Sequence, residues 1–222
     1  NVAVNGGACK ISGDNNVILN SVFKNNKATN NGGAIYLVSG SNCNISDCEF
    51  TANNASYGGA IYNNSSSDTG IGDITGNFIG NYSESVSERA YGGAIYNANG
   101  NVQIKTISGN FIQNSANSRS GGDSYGGAIC NDGDVYIKNL IANFIQNGAN
   151  SKNGTAYGGA IFNITRGGDI TIDNLNGNFI ENSCNSIGGT AQGGAIDNFI
   201  SQYNDKLIIK NIQGNFIKNY VK

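Results

Sequence analysis

The chain has 222 residues, of which 38% are apolar, and a formal net charge of −2. The apolar share is enough to bury a core, but the charge supplies no basic surface for nucleic acid or anionic lipid. The lack of histidine excludes Ser–His and Cys–His catalytic pairs, and no apolar run approaches the roughly 18 residues of a membrane span. Because the chain begins at Asn1 without a signal peptide, we expect a processed chain or a segment of a larger protein.

Two short marks alternate along the chain. The first is the triplet GGA and the second is Phe-x-x-Asn. Successive triplets are 26, 26, 34, 34, 32 and 35 residues apart, and each of seven units opens with the triplet and closes with the second mark. Such self-similarity is typical of a repeat architecture, so we predict a single repeat domain over residues 1–222. Its units begin near residues 6, 32, 58, 92, 126, 158 and 193.

The first predicted strand of each unit follows the triplet, as in GGAIYN. The position after Ala is apolar in every unit, whereas the next position accepts Lys10, Tyr36 or Asp197. This alternation is typical of a strand with one buried face. We therefore expect the apolar position to lie in the core with the Phe of the closing mark. The predicted core residues are Ile35, Ile61, Ile95, Ile129, Ile161, Ile196, Phe50, Phe78, Phe111, Phe144, Phe179 and Phe216.

Two more strands are predicted before the closing mark. In one unit Val102, Ile104, Ile107, Gly109 and Phe111 are spaced by two, three, two and two residues, and the last four units repeat these offsets. The step of three indicates a one-residue bend between two strands. Stacked units of this kind predict an all-β fold, a right-handed parallel β-helix (solenoid) of about seven rungs of three short strands. Helices are disfavoured because Gly and Asn are poor helix formers.

Asparagine recurs at two positions of the unit. One lies two residues after the buried Ile, and the other closes Phe-x-x-Asn. Stacked amides can hydrogen-bond from rung to rung, so we predict two structural ladders, the second at a corner where Asn adopts unusual backbone angles. The ladder residues are Asn63, Asn97, Asn131, Asn163, Asn198 and Asn81, Asn114, Asn147, Asn182, Asn219. Asn26 and Asn53 occupy the second position in earlier units.

The alternation of GGA[I] with Phe-x-x-Asn resembles the repeat pair of the polymorphic outer membrane proteins. These are autotransporters whose secreted passenger is a right-handed β-helix with a general role in adhesion. Similar Asn-rich repeats occur in adhesin-like surface proteins. The resemblance covers the seven units and concerns the passenger repeat alone. It implies an extracellular or cell-surface protein, associated with a bacterial outer membrane if it is autotransporter-like.

Residues able to carry chemistry are few. Asp132, Asp134 and Asp169 are weak calcium candidates, although Asn-Asp-Gly-Asp is also ordinary turn sequence. We predict no catalytic residue, no metal and no cofactor. Five cysteines leave a Cys43–Cys48 disulfide open, and Cys184 is predicted to lie in a loop as a free or intermolecular thiol.

Two functions from different classes remain. The first is a non-enzymatic structural or adhesive surface β-helix, which stacks head-to-tail into a filament through its open ends or binds a ligand on a host or neighbouring cell. In support, the polar segments that follow the closing mark would form one ridge if they stack, although they are equally explained as solvated spacers. The alternative is a glycan-binding module or polysaccharide-active enzyme, for which Tyr36, Tyr62 and Tyr96 would form an outward aromatic column. Stacking that only stabilises the sheet explains that column as well.

Overall fold

The structure is a computed structural model that describes residues 1–39, 43–64, 71–86, 88–98 and 101–222. These residues form parallel strands and turns and no helix. The first strands are β1 (Val2–Asn5), β2 (Cys9–Ser12), β3 (Val17–Leu19), β4 (Val22–Lys24), β5 (Lys27–Asn31), β6 (Ile35–Ser39), β7 (Asn44–Thr51), β8 (Asn54–Ala55) and β9 (Ile61–Asn63). The middle strands are β10 (Ile71–Ile79), β11 (Tyr82–Ser85), β12 (Ala90–Tyr91), β13 (Ile95–Asn97), β14 (Val102–Ile112), β15 (Ser115–Ser118), β16 (Ser124–Tyr125), β17 (Ile129–Asp132), β18 (Val135–Ile145), β19 (Gly148–Ser151) and β20 (Ala156–Tyr157). The last strands are β21 (Ile161–Thr165), β22 (Ile170–Asn176), β23 (Phe179–Ile180), β24 (Ser183–Ser186), β25 (Ala191–Gln192), β26 (Ile196–Ile200), β27 (Leu207–Gln213), β28 (Phe216–Ile217) and β29 (Tyr220–Val221).

Within the described residues the strands form four parallel sheets that coil around one axis. Sheet A has the order β1-β5-β8-β11-β15-β19-β24-β29, and sheet B has the order β2-β6-β9-β13-β17-β21-β26. Sheet C follows β27-β22-β18-β14-β10-β7-β3, with β4, β23 and β28 beside it, and sheet D is β12-β16-β20-β25. Neighbours in a sheet come from successive repeat units, so the chain is an all-β parallel β-solenoid.

One coil in the middle of the chain contains β13, β14, β15 and β16. Strand β14 runs without a break through the position of the predicted bend, and the polar segment after the closing mark supplies β15 and β16. The strands of this coil are therefore divided differently from the predicted three short strands. One strand continues around the predicted bend, and the polar segment adds strands that pair with those of the neighbouring coils.

The GGA triplet forms a tight turn that only glycine permits. Gly92 adopts a φ of 55°, a region that residues with a Cβ rarely enter. A Cβ on Gly93 would lie 2.1 Å from the carbonyl oxygen of Gly127 in the next rung. The triplet recurs because each rung passes the same point of close backbone contact.

The core consists of columns of identical side chains, one residue per rung. The isoleucines at the first predicted core position are buried except for Ile196, which is partly buried. The phenylalanines of the closing mark stack with ring centroids 4.6–5.0 Å apart. Phe216, the last of this column, is 49% exposed because no further described rung covers it.

Two columns of asparagine amides accompany the apolar columns. From Asn63 to Asn198, each Nδ2 donates to the Oδ1 one rung on at 2.7–3.0 Å. From Asn26 to Asn219 the same bond measures 2.9–3.0 Å. Most of these asparagines are buried, and buried amides need partners. In the last rung, Asn198 is exposed and Asn219 is half-buried.

The corner geometry differs from the prediction in one respect. The left-handed backbone angle belongs to the residue before the ladder asparagine, as at Gln113 with a φ of 55°, and not to Asn114. Asn114 instead uses its side chain to bind three neighbours. It donates to the carbonyl of Phe78 at 2.8 Å and to Asn147, and its Oδ1 accepts the backbone N–H of Asn81 at 3.0 Å. The asparagine is therefore selected for its amide.

Candidate functional site

The polar segments after the closing mark are paired strands in the structure. Strands β11, β15, β19 and β24 lie side by side in register within sheet A. Their small inward side chains are fully buried and form one column, which consists of Ser83, Ala116, Ala149 and Cys184. The interpretation as solvated spacers is thus wrong for these residues, because small inward side chains let the strands approach the core.

The prediction that Cys184 lies in a loop is also wrong. Cys184 belongs to β24 and is fully buried, and this burial raises the pKa of its thiol to about 12. All five cysteines are free thiols, so Cys43 and Cys48 form no disulfide. A buried thiol of this kind acts as a small apolar group and not as a reactive one.

A column of serines holds the turns that follow these strands. The Ser151 hydroxyl donates to the carbonyl of Gly122 in the preceding rung at 2.9 Å and accepts the N–H of Gly154 at 2.9 Å. Ser118 and Ser186 donate to the preceding rung in the same way, at 3.1 and 2.7 Å. The Ser186 hydroxyl also accepts the N–H of Gly189 at 2.9 Å, so the turns after Ser151 and Ser186 are fixed both to their own strand and to the preceding rung. The turns at residues 119–123, 152–155 and 187–190 stack along the solenoid as one wall, which we call the turn ridge.

A groove of about 580 Å³ lies between the turn ridge and the outer face of sheet A. We call it the ridge groove. Its floor contains the outward amides of Asn117, Asn150 and Asn185, one from each of β15, β19 and β24. Its size is within the range usual for small-molecule sites. Its remaining lining residues are Glu84, Ser118, Arg119, Ser151, Lys152 and Ile187.

The floor amides form a third asparagine ladder. Asn150 donates to Asn117 Oδ1 at 3.0 Å, and Asn185 donates to Asn150 Oδ1 at 2.9 Å. An amide group has two N–H donors and two acceptor lone pairs, and all three residues are half-buried. Asn150 therefore holds its place in the ladder with one donor and one lone pair, and keeps one of each for a ligand.

Of the two basic side chains that line the groove, one forms an ion pair and the other does not. The Arg119 guanidinium forms an ion pair with Glu84, which lies on the neighbouring strand β11. Lys152 occupies the position of Arg119 one rung further and is exposed. Within the described residues Lys152 forms no ion pair. The next position in the column is Ile187, which is 86% exposed.

A second column of tyrosines packs against one member of the predicted column, Tyr96. Tyr36, Tyr62 and Tyr96 contact each other edge to face at 5.2 and 5.3 Å. Tyr91 packs flat against Tyr96 at 4.9 Å and against Tyr125 at 4.7 Å. The second column consists of the tyrosines that precede the triplet, Tyr57, Tyr91, Tyr125 and Tyr157. Because the ring of Tyr91 covers that of Tyr96, this face serves the packing of the solenoid and is not an open platform for sugars. Tyr36 and Tyr62 are partly buried.

Asp132 is buried beside this aromatic cluster. Its carboxylate accepts the hydroxyl of Tyr96 at 2.9 Å and forms an ion pair with Arg166 at 3.3 Å. Burial raises the pKa of Asp132, although the guanidinium opposes this shift. The group is therefore already engaged by a cation of the protein.

The other calcium candidates lie apart from this pair. Asp134 and Asp169 are largely exposed on adjacent rungs. Partial desolvation of its carboxyl and the charge of Asp169 raise the pKa of Asp134. Asp169 accepts the backbone N–H of Lys206 at 2.8 Å. Among residues that the structure describes, no three His, Cys, Asp or Glu side chains form a group able to hold a metal ion.

Sequence comparison identifies one family. Residues 20–37 match the model described as the Chlamydia polymorphic membrane protein (Chlamydia_PMP) repeat. This segment contains Phe23-x-x-Asn26 and the following Gly32-Gly33-Ala34-Ile35, so the resemblance drawn from those marks is confirmed. Neither curated proteins nor solved structures gave a match to the chain. In the described part of the chain, no helix has the length and apolar character needed to cross a membrane.

Proposed function

We propose that this β-solenoid, with a polymorphic membrane protein repeat at residues 20–37, is a non-enzymatic adhesive and structural protein of the cell surface. The observation that carries the proposal is the turn ridge, a regular outer wall that stacks on a repeat-built scaffold. A family repeat of a membrane protein supports an extracellular location, at a bacterial outer membrane if the chain is autotransporter-like.

The scaffold suits such a role because interactions inside the core hold each rung in a fixed position relative to the next. Buried amide ladders and a continuous phenylalanine stack tie every rung to the next. A rigid scaffold presents surface turns in a constant geometry, which is how binding residues are usually displayed. The target on this proposal is a surface ligand on a host or neighbouring cell.

Adhesion can be tested with beads coated with the folded chain. We expect saturable attachment to cultured epithelial cells or to cells of a co-resident microbe, and we expect free folded chain in solution to compete. Beads coated with urea-unfolded chain are the matched control, since composition and charge are identical. Equal attachment of both bead types would contradict an adhesive role of the fold.

A glycan-binding module is the second candidate, and the ridge groove favours it. A polysaccharide-active enzyme is less well supported, because glycoside hydrolysis generally uses a pair of carboxylates. Among the described residues that line the groove, Glu84 is the one acid. Binding without turnover is therefore the form of this alternative that the lining residues support.

We also propose the finer architecture, a single domain over residues 1–222 with seven rungs and a right-handed coil. One strand of sheet B for each of the seven units supports the rung number. The preference of parallel crossovers for the right hand supports the handedness. Small-angle scattering of the isolated chain should give a rod of roughly 34 Å for seven rungs, and two separately tumbling bodies would contradict a single domain.

Head-to-tail self-association remains part of the proposal. Exposed apolar side chains at both end rungs support it, among them Val2 at 75% and Phe216 at 49%. Sheet A begins with β1, which pairs with β5, and ends with β29. In a head-to-tail stack β29 of one copy would take the place beside β5 of the next copy, so it would have to replace β1 there. Asn219 would then donate to Asn26, as Asn1 does at 3.1 Å.

Electron microscopy over a concentration series tests this association. Removing residues 1–5 should promote growth of unbranched rods, because it frees the place that β29 would take. Rods of constant length at every concentration, for both the full and the shortened chain, would refute self-association and would fit end rungs covered by further coils of one polypeptide.

A further inference from the structure

The ridge groove combines regularly spaced amides with a lysine that forms no ion pair within the described part of the chain. Asn117, Asn150 and Asn185 lie on three successive rungs, so the outer two are separated by about 10 Å along the axis. The groove is therefore elongated parallel to the solenoid. A linear polymer can present the same group to each rung, whereas a compact ligand would use only one.

The chemistry of the floor matches hydroxyl groups. An amide offers a donor and an acceptor side by side, and a hydroxyl is both donor and acceptor. Asn150 keeps one donor and one acceptor lone pair outside its ladder bonds to Asn117 and Asn185. Among the described residues that line the groove there is no aromatic side chain. These residues therefore offer neither the stacking used for nucleic-acid bases nor an aromatic pocket for a protein anchor.

The wall adds a preference for negative charge. Lys152 lines the groove without an ion pair to any described residue, and Arg119 is held at the rim by Glu84. An unpaired ammonium beside hydroxyl-binding amides favours a chain that carries both hydroxyl and acid groups, by direct charge attraction. The exposed side chain of Ile187 offers an apolar contact at one end.

We propose that the ridge groove binds a linear acidic glycan that lies along the solenoid axis, with its hydroxyls on the Asn117–Asn150–Asn185 amides and an acid group on Lys152. This inference rests on the proposed adhesive function and names the class of its ligand. The site consists of outward side chains of sheet A and the turn ridge, so it is separate from the core and from the buried tyrosine cluster.

The test uses the full chain and defined probes. Oligosaccharides of uronic acid, the same backbone in neutral form, and a sulfated oligosaccharide are titrated by calorimetry. We expect the acidic probes to bind at least about tenfold more tightly than the neutral one, and binding to weaken in about 0.5 M salt because the charge contact is screened. Comparable affinity for the neutral probe would overturn the role of charge.

Variants locate the site. Lys152→Gln should weaken binding of the acidic probe about tenfold, whereas Lys24→Gln, which removes an exposed charge on β4 outside the groove, should not. Asn150→Ala should weaken the acidic and neutral probes alike, and its far-ultraviolet circular dichroism reports whether the fold is intact. Unchanged binding in both Lys152→Gln and a folded Asn150→Ala would overturn the assignment of the groove.

The experiments distinguish a failure of the adhesive function from a failure of the proposed ligand class. If coated beads adhere to cells but the acidic probes do not bind, the adhesive function stands and the ligand class is wrong. If the beads do not adhere and the probes do not bind, both are wrong. If the probes bind and Lys152→Gln abolishes bead attachment, both are supported.

Discussion

Removing one inner amide should cost far more stability than removing an outer one. Asn114→Ala deletes four hydrogen bonds, namely those to Asn147, to the carbonyl of Phe78, and from the backbone and side chain of Asn81. At about 1 kcal/mol net for each bond, the expected loss is about 4 kcal/mol. Typical domains have a free energy of unfolding of about 5–15 kcal/mol, so this loss is a large fraction of the total.

The matched control is Asn110→Ala, four residues earlier on the same rung. Asn110 belongs to an outer ladder, where it donates to Asn77 at 2.9 Å and accepts from Asn143 at 3.1 Å. Water can replace these partners because Asn110 is only half-buried, so we expect a loss below about 1 kcal/mol.

The assay is urea unfolding followed by circular dichroism and tyrosine fluorescence. Both probes are needed because a solenoid can lose rungs separately, and a single free energy then has no meaning. If both variants unfold at the same urea concentration, or if Asn114→Ala costs less than about 1 kcal/mol, the inner ladder does not stabilise the rungs as argued.

Four further outcomes follow from packing and burial. Phe111→Ala, in the middle of the ring stack, should lower the free energy of unfolding by about 3–5 kcal/mol in urea titrations. Gly93→Ala should prevent correct folding by circular dichroism, whereas Gly121→Ala, where a Cβ meets open space, should be nearly neutral. The buried Cys184 thiol should resist iodoacetamide at about pH 8 in the folded chain and react in urea, as read by mass spectrometry. Burial raises the folded pKa of Asp132 above its ordinary 3.8, so the stability it contributes is complete below pH 3.8 and is lost as the pH rises through the raised value. Asp132→Asn should therefore flatten the dependence of the unfolding midpoint on pH in that window, and an unchanged slope would contradict the assignment.

The core columns could be predicted because each rung places the same residue type at the same point. Ile95 and Phe111 recur at fixed distances from GGA, and period-two alternation gives their direction. The strands that precede the turn ridge, β15, β19 and β24, were missed because Ser, Asn and Gly are the usual residues of loops. A signal was present, since Ser118 and Ser151 recur at one place in successive units, where they hold the turns.

The tyrosine cluster shows the limit of alternation as a guide to exposure. Tyr96 does point away from the core, yet it is only 6% exposed. Alternation fixes which side of a strand a residue occupies, but it does not tell whether another segment covers that side. Here the ring of Tyr91 covers that of Tyr96. The signal for this second column was the recurrence of tyrosine directly before GGA, at Tyr57, Tyr91, Tyr125 and Tyr157.

The amide columns also give the solenoid a direction. In the inner ladders each Nδ2 donates toward the next rung, as Asn114 does to Asn147, whereas in the outer ladders the donation runs backward, as from Asn150 to Asn117. One end of an inner column therefore presents N–H groups and the other presents oxygen. A two-fold symmetric contact between identical ends would set donor against donor or acceptor against acceptor. An assembly that continues these ladders from one copy to the next would accordingly be heterologous and polar, with two distinguishable tips, and would not close as a symmetric dimer.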